Sequence, residues 1–248
     1  MIEKKLSIIL PVYNEKESLL IMVRLLNSSL SIQTEIIIVH DNLNDNSLDS
    51  AKKLAEEYDN IKIIHNDYGS GVKYAVQAGI ENAKFDIILI TAVDEIFPII
   101  SIENMLDEII ENNKDFVSGT RYSKGGARLG GSLVGSILSK TANKIFNILT
   151  TVPLSDCTTG IKMMKKKVWY NINLDCDPIG WAFAFELSIK VYLKNYNISE
   201  LPIKSVDRLF GGSSTFKLGP WIKEYLKWFF WGIRKTYKKN NLPKDKID

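Results

Sequence analysis

A chain of 248 residues, 45% apolar and 25% charged, is long enough to bury a substantial core as one α/β domain with a short appendage. Its net charge of +3 is too small to argue for nucleic acid, so where the basic residues lie matters more than their sum. Cys157 and Cys176 have neither metal-ligand spacing nor a disulfide framework, the residues after Met1 lack the apolar run of a signal peptide, and no window resembles a membrane-spanning helix, so the expectation is a cytoplasmic protein, free or peripheral on the inner face of the membrane.

The segment 6–10 is an apolar run that reads as a buried strand, and Pro11 stops it because proline has no N–H to give the ladder. Tyr13, Asn14 and Glu15 then fall on the loop at the strand's carboxyl end, where an open α/β sheet binds its ligand. Asn14 with Glu17 three residues on has the pattern of a capping box. The helix it would start has Leu19, Leu20, Met22, Val23 and Leu26 on its apolar face. A strand at 35–39, a helix at 47–58, a strand at 61–65 and a helix at 72–83 follow. Next come a strand at 86–91, a helix near 101–112 and a strand at 116–119. Two of these strands end at acidic residues, Asp41 and Asp94. Strands and helices alternating at this length predict right-handed crossovers and a mostly parallel sheet with helices on both faces. Beyond it, the pattern predicts an amphipathic helix at 132–149, a short strand at 161–165, a helix at 182–194 and a strand at 198–203. A loop rich in Gly and Ser at 204–219 leads into a terminal helix at 221–239. The domain boundary is placed near 219, giving a globular unit 1–219 and a basic aromatic tail 220–248.

Five landmarks occur in order: Pro11-Val12-Tyr13-Asn14-Glu15, His40-Asp41-Asn42-Leu43-Asn44-Asp45, Ala92-Val93-Asp94, Ser155-Asp156-Cys157-Thr158-Thr159-Gly160-Ile161-Lys162, and Asp207-Arg208-Leu209-Phe210-Gly211-Gly212-Ser213-Ser214. No G-x-G-x-x-G follows the first strand, which argues against a dinucleotide-binding domain. The ordered set resembles family 2 glycosyltransferases of the GT-A fold, in the dolichyl-phosphate mannose synthase-like branch, from about Leu6 to Phe216. The resemblance implies a nucleotide pocket formed by Pro11, Tyr13, Glu15, Asp41, Gly71, Ala92 and Val93. Asp41 is the residue to grip the base, with Asp45 organising its turn and His40 a core residue or a pocket residue. Lys73 could approach a phosphate or lie on a solvated helix face.

The family's D-x-D motif binds Mg²⁺ or Mn²⁺ against the nucleotide diphosphate. Here Ala92 replaces its first carboxylate, leaving Asp94 as metal ligand and catalytic residue, with Glu95 a substitute only if the loop turns there. Cations must then carry more of the diphosphate's charge, and Arg121, Lys124, Arg128, Arg208 and Lys217 are the candidates, with Ser213 and Ser214 in a lid-like loop around Arg208. Asp156 could orient a sugar hydroxyl or the acceptor, or cap a turn, and Glu186 is the one tempting general base. A sugar hydroxyl acceptor needs such a base, whereas a polyprenyl phosphate is already an anion. The expectation is therefore an inverting transferase that moves a hexose from GDP-mannose or a UDP-hexose to polyprenyl (dolichyl or undecaprenyl) phosphate in cell-envelope glycan biosynthesis. Direct transfer to a cell-surface polysaccharide or lipopolysaccharide glycan, and non-catalytic binding of a nucleotide sugar, are the alternatives. In the tail, Trp221, Ile222, Tyr225, Leu226, Phe229 and Ile233 cluster on one side of a helix, and Lys223, Lys227 and Arg234 on the other. That pattern suits a helix lying on anionic lipid, or one packed on the core. The oligomeric state is left open.

Overall fold

The computed structural model describes residues 3–130, 133–206 and 218–241. Its elements in chain order are β1 (Lys5–Pro11), α1 (Lys16–Ser29), β2 (Gln33–His40), α2 (Ser47–Glu57), β3 (Ile61–His65), α3 (Val72–Glu81) and β4 (Ile87–Ile90). After a 3₁₀ turn at Phe97–Ser101 come α4 (Ile102–Ile110), β5 (Phe116–Thr120), β6 (Ala127–Leu129), α5 (Leu133–Thr150), β7 (Lys162–Lys165) and α6 (Lys166–Tyr170). The chain continues through α7 (Ala182–Leu193), β8 (Ile198–Pro202), β9 (Lys204–Val206) and α8 (Leu218–Asn241).

The main sheet has seven strands in the order β3-β2-β1-β4-β7-β5-β8. Its strands are parallel except β7, which runs antiparallel between β4 and β5. Each strand's alternation sends side chains to two separate helix layers, which explains why the runs are apolar throughout. Ile9, Ile37, Val39, Ile88 and Ile90 pack with α3, α7 and the inner side of α8. Ile8, Leu10, Ile36, Ile38 and Leu89 pack with α1, α2 and α4. Gly79 of α3 lies over β1 because a Cβ there would fall 2.5 Å from the Ile9 side chain.

Three local expectations change. The helix α1 starts at Lys16 with Glu15 in the cap position and no side-chain cap, so Asn14 does not form a capping box. The segment expected as one loop after the last main-sheet strand begins with β9, which pairs in parallel with β6. The aromatic tail also divides. Trp228 is buried, and Tyr225, Phe229, Trp231 and Ile233 pack partly buried on the core, while Ile222 and Leu226 face outward with Phe230 and Tyr237.

Candidate active site

Parallel order places the tips of β1, β2, β3, β4 and β5 on one edge of the sheet. Because β7 is antiparallel, with Lys162 opposite both Ile90 and Ser118, the loop that precedes it (155–160) arrives at that same edge.

On the β1–β2 side, Asp45 ties two loops together. Its carboxylate accepts the Asn14 N–H at 3.0 and 3.2 Å and the Ser47 N–H at 2.8 Å. Ser47 Oγ in turn accepts the Glu15 N–H at 2.8 Å. Asn14 adopts the left-handed conformation, φ 57°, which asparagine tolerates better than most residues. The Tyr13 side chain is left 55% exposed beside this turn. Asp41 Oδ2 accepts the Gly71 N–H at 2.8 Å. Gly71 has φ 126°, and a Cβ there would sit 2.8 Å from the Pro178 carbonyl oxygen, so only glycine fits. His40 is buried with its ring 4.9 Å from that of His65, and its Nδ1 lies 3.1 Å from the Asn42 carbonyl; it is a packed strand-end residue.

On the β5–β7 side the central feature is a buried ion pair. Arg121 Nε donates to Asp156 Oδ2 at 2.7 Å and Nη2 donates to Oδ1 at 3.1 Å. Arg121 Nη2 and Asn143 Nδ2 both donate to Thr158 Oγ1, at 3.2 and 3.0 Å, and that hydroxyl donates to Asp156 at 2.9 Å. Asp156 is fully buried. Burial alone would raise its carboxyl, but the Arg121 guanidinium holds it below the ordinary carboxylate range. Asp156 thus grips Arg121, and among the described residues Nη1 of Arg121 makes no hydrogen bond. Lys162 lies underneath, fully buried, donating to Ser118 Oγ at 2.7 Å and the Cys157 carbonyl at 3.4 Å. Desolvation pushes its ammonium down to about 8. The sequence marks Lys162 as the last residue of the 155–162 landmark, where the resembling family prefers arginine, but gives no sign of its burial.

Between these two sides lies the tip of β4. Val93 is buried, and Ala92 and Asp94 are half-buried. The Glu95 N–H donates to the Ala92 carbonyl at 3.2 Å, closing a turn, and the Glu95 carboxylate accepts from Ser205 Oγ of β9 at 2.8 Å. Among the described residues no group of three or more His, Cys, Asp or Glu side chains is placed to hold a metal ion. Among the described residues at this strand tip, Ala92 supplies no ligand and Glu95 Oε1 is bonded to β9, which makes Asp94 the acidic position best placed to meet an ion. One carboxylate suits an ion whose other ligands are phosphate oxygens and water.

The other candidates are scattered. Lys124 is exposed on the turn after β5, and Arg128 is half-buried in β6. Lys73 does not line a solvated face: its ammonium caps the carbonyls of Leu174 and Cys176, at 3.0 and 2.8 Å. Glu186 is fully buried, accepts the N–H groups of Asp175 and Cys176 at 2.7 and 2.9 Å, and pairs with Lys190 at 2.6 Å. It is a clamp on that loop and does not stand as a base at the sheet edge. Arg208, Ser213, Ser214 and Lys217 lie outside the described residues.

This open sheet, with its polar tips on one edge, defines the class of α/β proteins that bind a ligand at strand carboxyl ends. Within that class, residues 7–172 match the model of glycosyl transferase family 2, and the chain belongs to that family. It is 29% identical over 226 residues to the dolichol-phosphate mannosyltransferase of Pyrococcus furiosus, covering 90% of this chain and 62% of the relative. It is 27% identical over 233 residues to the polyprenol monophosphomannose synthase of Mycolicibacterium smegmatis, covering 92% of this chain and 86% of the relative. The chain thus spans 62% of the length of the Pyrococcus relative. The fold also resembles that of glucosyl-3-phosphoglycerate synthase from Mycobacterium tuberculosis, solved with Mn²⁺, UDP-glucose and phosphoglyceric acid. There the TM-score is 0.71 at 13% identity, covering 93% of this chain and 80% of that one. The GT-A expectation for the fold therefore holds.

Proposed function

We propose that this chain is an inverting glycosyltransferase that moves a hexose from a nucleoside-diphosphate sugar to a polyprenyl phosphate. The observation that carries this reading is Arg121, locked by the buried Asp156 at the ligand edge of the sheet, with a guanidinium nitrogen that bonds none of the described residues and could meet an oxyanion. Glu186, the one carboxylate considered as a base, is committed elsewhere. An acceptor that is already an anion needs no base, and the names of the two relatives include dolichol phosphate and polyprenol. In the reaction an acceptor phosphate oxygen attacks the anomeric carbon, and the bond to the donor diphosphate breaks with its electrons leaving on the diphosphate. Asp41 and Gly71 would hold the base, with Pro11, Tyr13, Glu15, Ala92 and Val93 completing the nucleotide pocket. Arg121, Lys124, Arg208, Ser213, Ser214 and Lys217 would meet the phosphates, and Asp156 would act by fixing Arg121. Asp94 would hold Mg²⁺ or Mn²⁺ together with the diphosphate, the ion supplying neutralisation of the leaving group.

No described helix is long and apolar enough to cross a membrane. Two described helices nevertheless expose apolar side chains. Ile222, Leu226, Phe230 and Tyr237 form an outward stripe on α8, among the exposed Lys223, Lys227, Arg234, Lys235 and Lys238. On α5, Leu133, Ile137, Leu138, Ile148 and Leu149 are exposed. Apolar side chains rimmed by basic ones suit an anionic bilayer surface. Peripheral attachment there, with α8 as the contact, is part of the proposal. Labelled GDP-mannose and UDP-hexoses incubated with undecaprenyl or dolichyl phosphate test it. A lipid-linked product from one donor is expected, and no such product from any donor overturns it.

A further inference from the structure

The loop between α6 and α7 is gripped by charged side chains from three helices, although it lies outside the residues assigned to substrate. Lys73 of α3 caps two of its carbonyls, and Glu186 of α7 caps two of its N–H groups. From α8, Glu224 accepts the Asp177 N–H at 3.2 Å. Glu224 is itself buried, and its Oε1 also accepts from Trp228 Nε1 at 2.7 Å and from Lys227 at 3.0 Å. These partners hold its carboxyl below the ordinary range against the opposing effect of burial. Next to Asp177, the Pro178 carbonyl oxygen stands where a side chain on Gly71 would go. Gly71 is the residue whose N–H Asp41 holds. Two residues farther on, Gly180 takes φ 49° under the Trp221 ring, where a Cβ would lie 2.0 Å from that ring.

We propose that Glu224 is a positioning residue for the donor nucleotide. It acts through Asp177 and Pro178, which back the Gly71–Asp41 corner of the pocket. This rests on the reading of that corner as the base site. Removing the α8 carboxylate frees the Asp177 N–H and lets Pro178 move off Gly71, so Asp41 loses its fixed partner. The expected signature is a weaker donor with an unchanged acceptor KM, which general destabilisation would not produce.

Calorimetric titration of UDP and GDP into the full chain and its Glu224→Ala, Glu224→Gln and Asp41→Ala variants tests the idea, alongside donor and acceptor KM values. Loss of one such hydrogen bond predicts roughly tenfold weaker nucleotide binding for Glu224→Ala. The amide oxygen of Glu224→Gln, still able to accept from Asp177, is expected to recover much of it. If Asp41→Ala weakens binding but both Glu224 variants bind like the parent, the inference is overturned and the base site stands. Failure of Asp41→Ala to weaken binding overturns both. Equal rises in donor and acceptor KM for Glu224→Ala would also overturn it, as the mark of a purely structural role.

Discussion

At the β1–β2 side of the sheet edge, carboxylates hold backbone: Asp45 accepts N–H groups from Asn14 and Ser47, and Asp41 accepts one from Gly71. At the β5–β7 side, a carboxylate holds a cation, with Asp156 fully buried behind Arg121. The first arrangement fixes the backbone of two loops beside the exposed Tyr13 ring. The second prepares a fixed positive group, which suits phosphate. Backbone ties of the first kind can be lost one at a time, whereas an ion pair whose carboxylate is fully buried fails as a unit.

The comparison is broken most severely at Arg121. Arg121→Ala is expected to lower kcat/KM by about a hundredfold or more, as loss of a preorganised charge at a reacting phosphate does. Arg121→Lys should recover little, because an ammonium cannot make the paired contacts to Asp156. Steady-state kinetics check both, and an Arg121→Lys variant with near-parental kcat/KM would remove the contrast between the two sides. Asp156→Ala comes next, since it leaves a buried guanidinium without its counter-charge. Its expected cost is about 3–5 kcal/mol of unfolding free energy in urea. The same substitution at Asp45, which is held by backbone N–H groups, should cost about 1–3 kcal/mol.

The smallest effect concerns Lys162. In the folded chain its ammonium titrates near 8, against an ordinary value of 10.5. Between those values the unfolded chain binds more protons, so this site's contribution to stability rises with pH, and below about 8 the cost of burying the charge stands in full. Lys162→Met should remove that part of the slope. Urea unfolding of both chains at about pH 7.5 and about pH 9.5 checks it. Parallel stability curves for the two would contradict a Lys162 ammonium lowered by its burial.

Most strands and helices were legible because long apolar runs and helical spacing are local signals. The parts that were not legible depend on distant residues. Asn14 and Glu17 make a credible capping pattern, but Asp45, 31 positions away, takes the Asn14 N–H and turns the chain into the left-handed region. The strand β7 is four residues with a lysine at each end, and nothing local says that it enters the sheet antiparallel. Yet that reversal brings Asp156 to Arg121, so the ion pair could not be read from spacing. The α8 pattern was ambiguous for another reason. Its aromatic residues cover most of the circumference, so one side packs on the core while Ile222, Leu226 and Phe230 remain outside. The loops at the β1 and β2 tips were easier to place, since Asp41 directly follows the end of β2 and Tyr13 and Glu15 lie just past the end of β1.

The central claim is that this site needs no general base because its acceptor is already an anion. It is tested most directly by offering the chain, with the preferred nucleotide sugar, either a polyprenyl phosphate or the corresponding polyprenol of equal length. The account predicts a glycolipid product from the phosphate alone. Comparable turnover of the alcohol would contradict it.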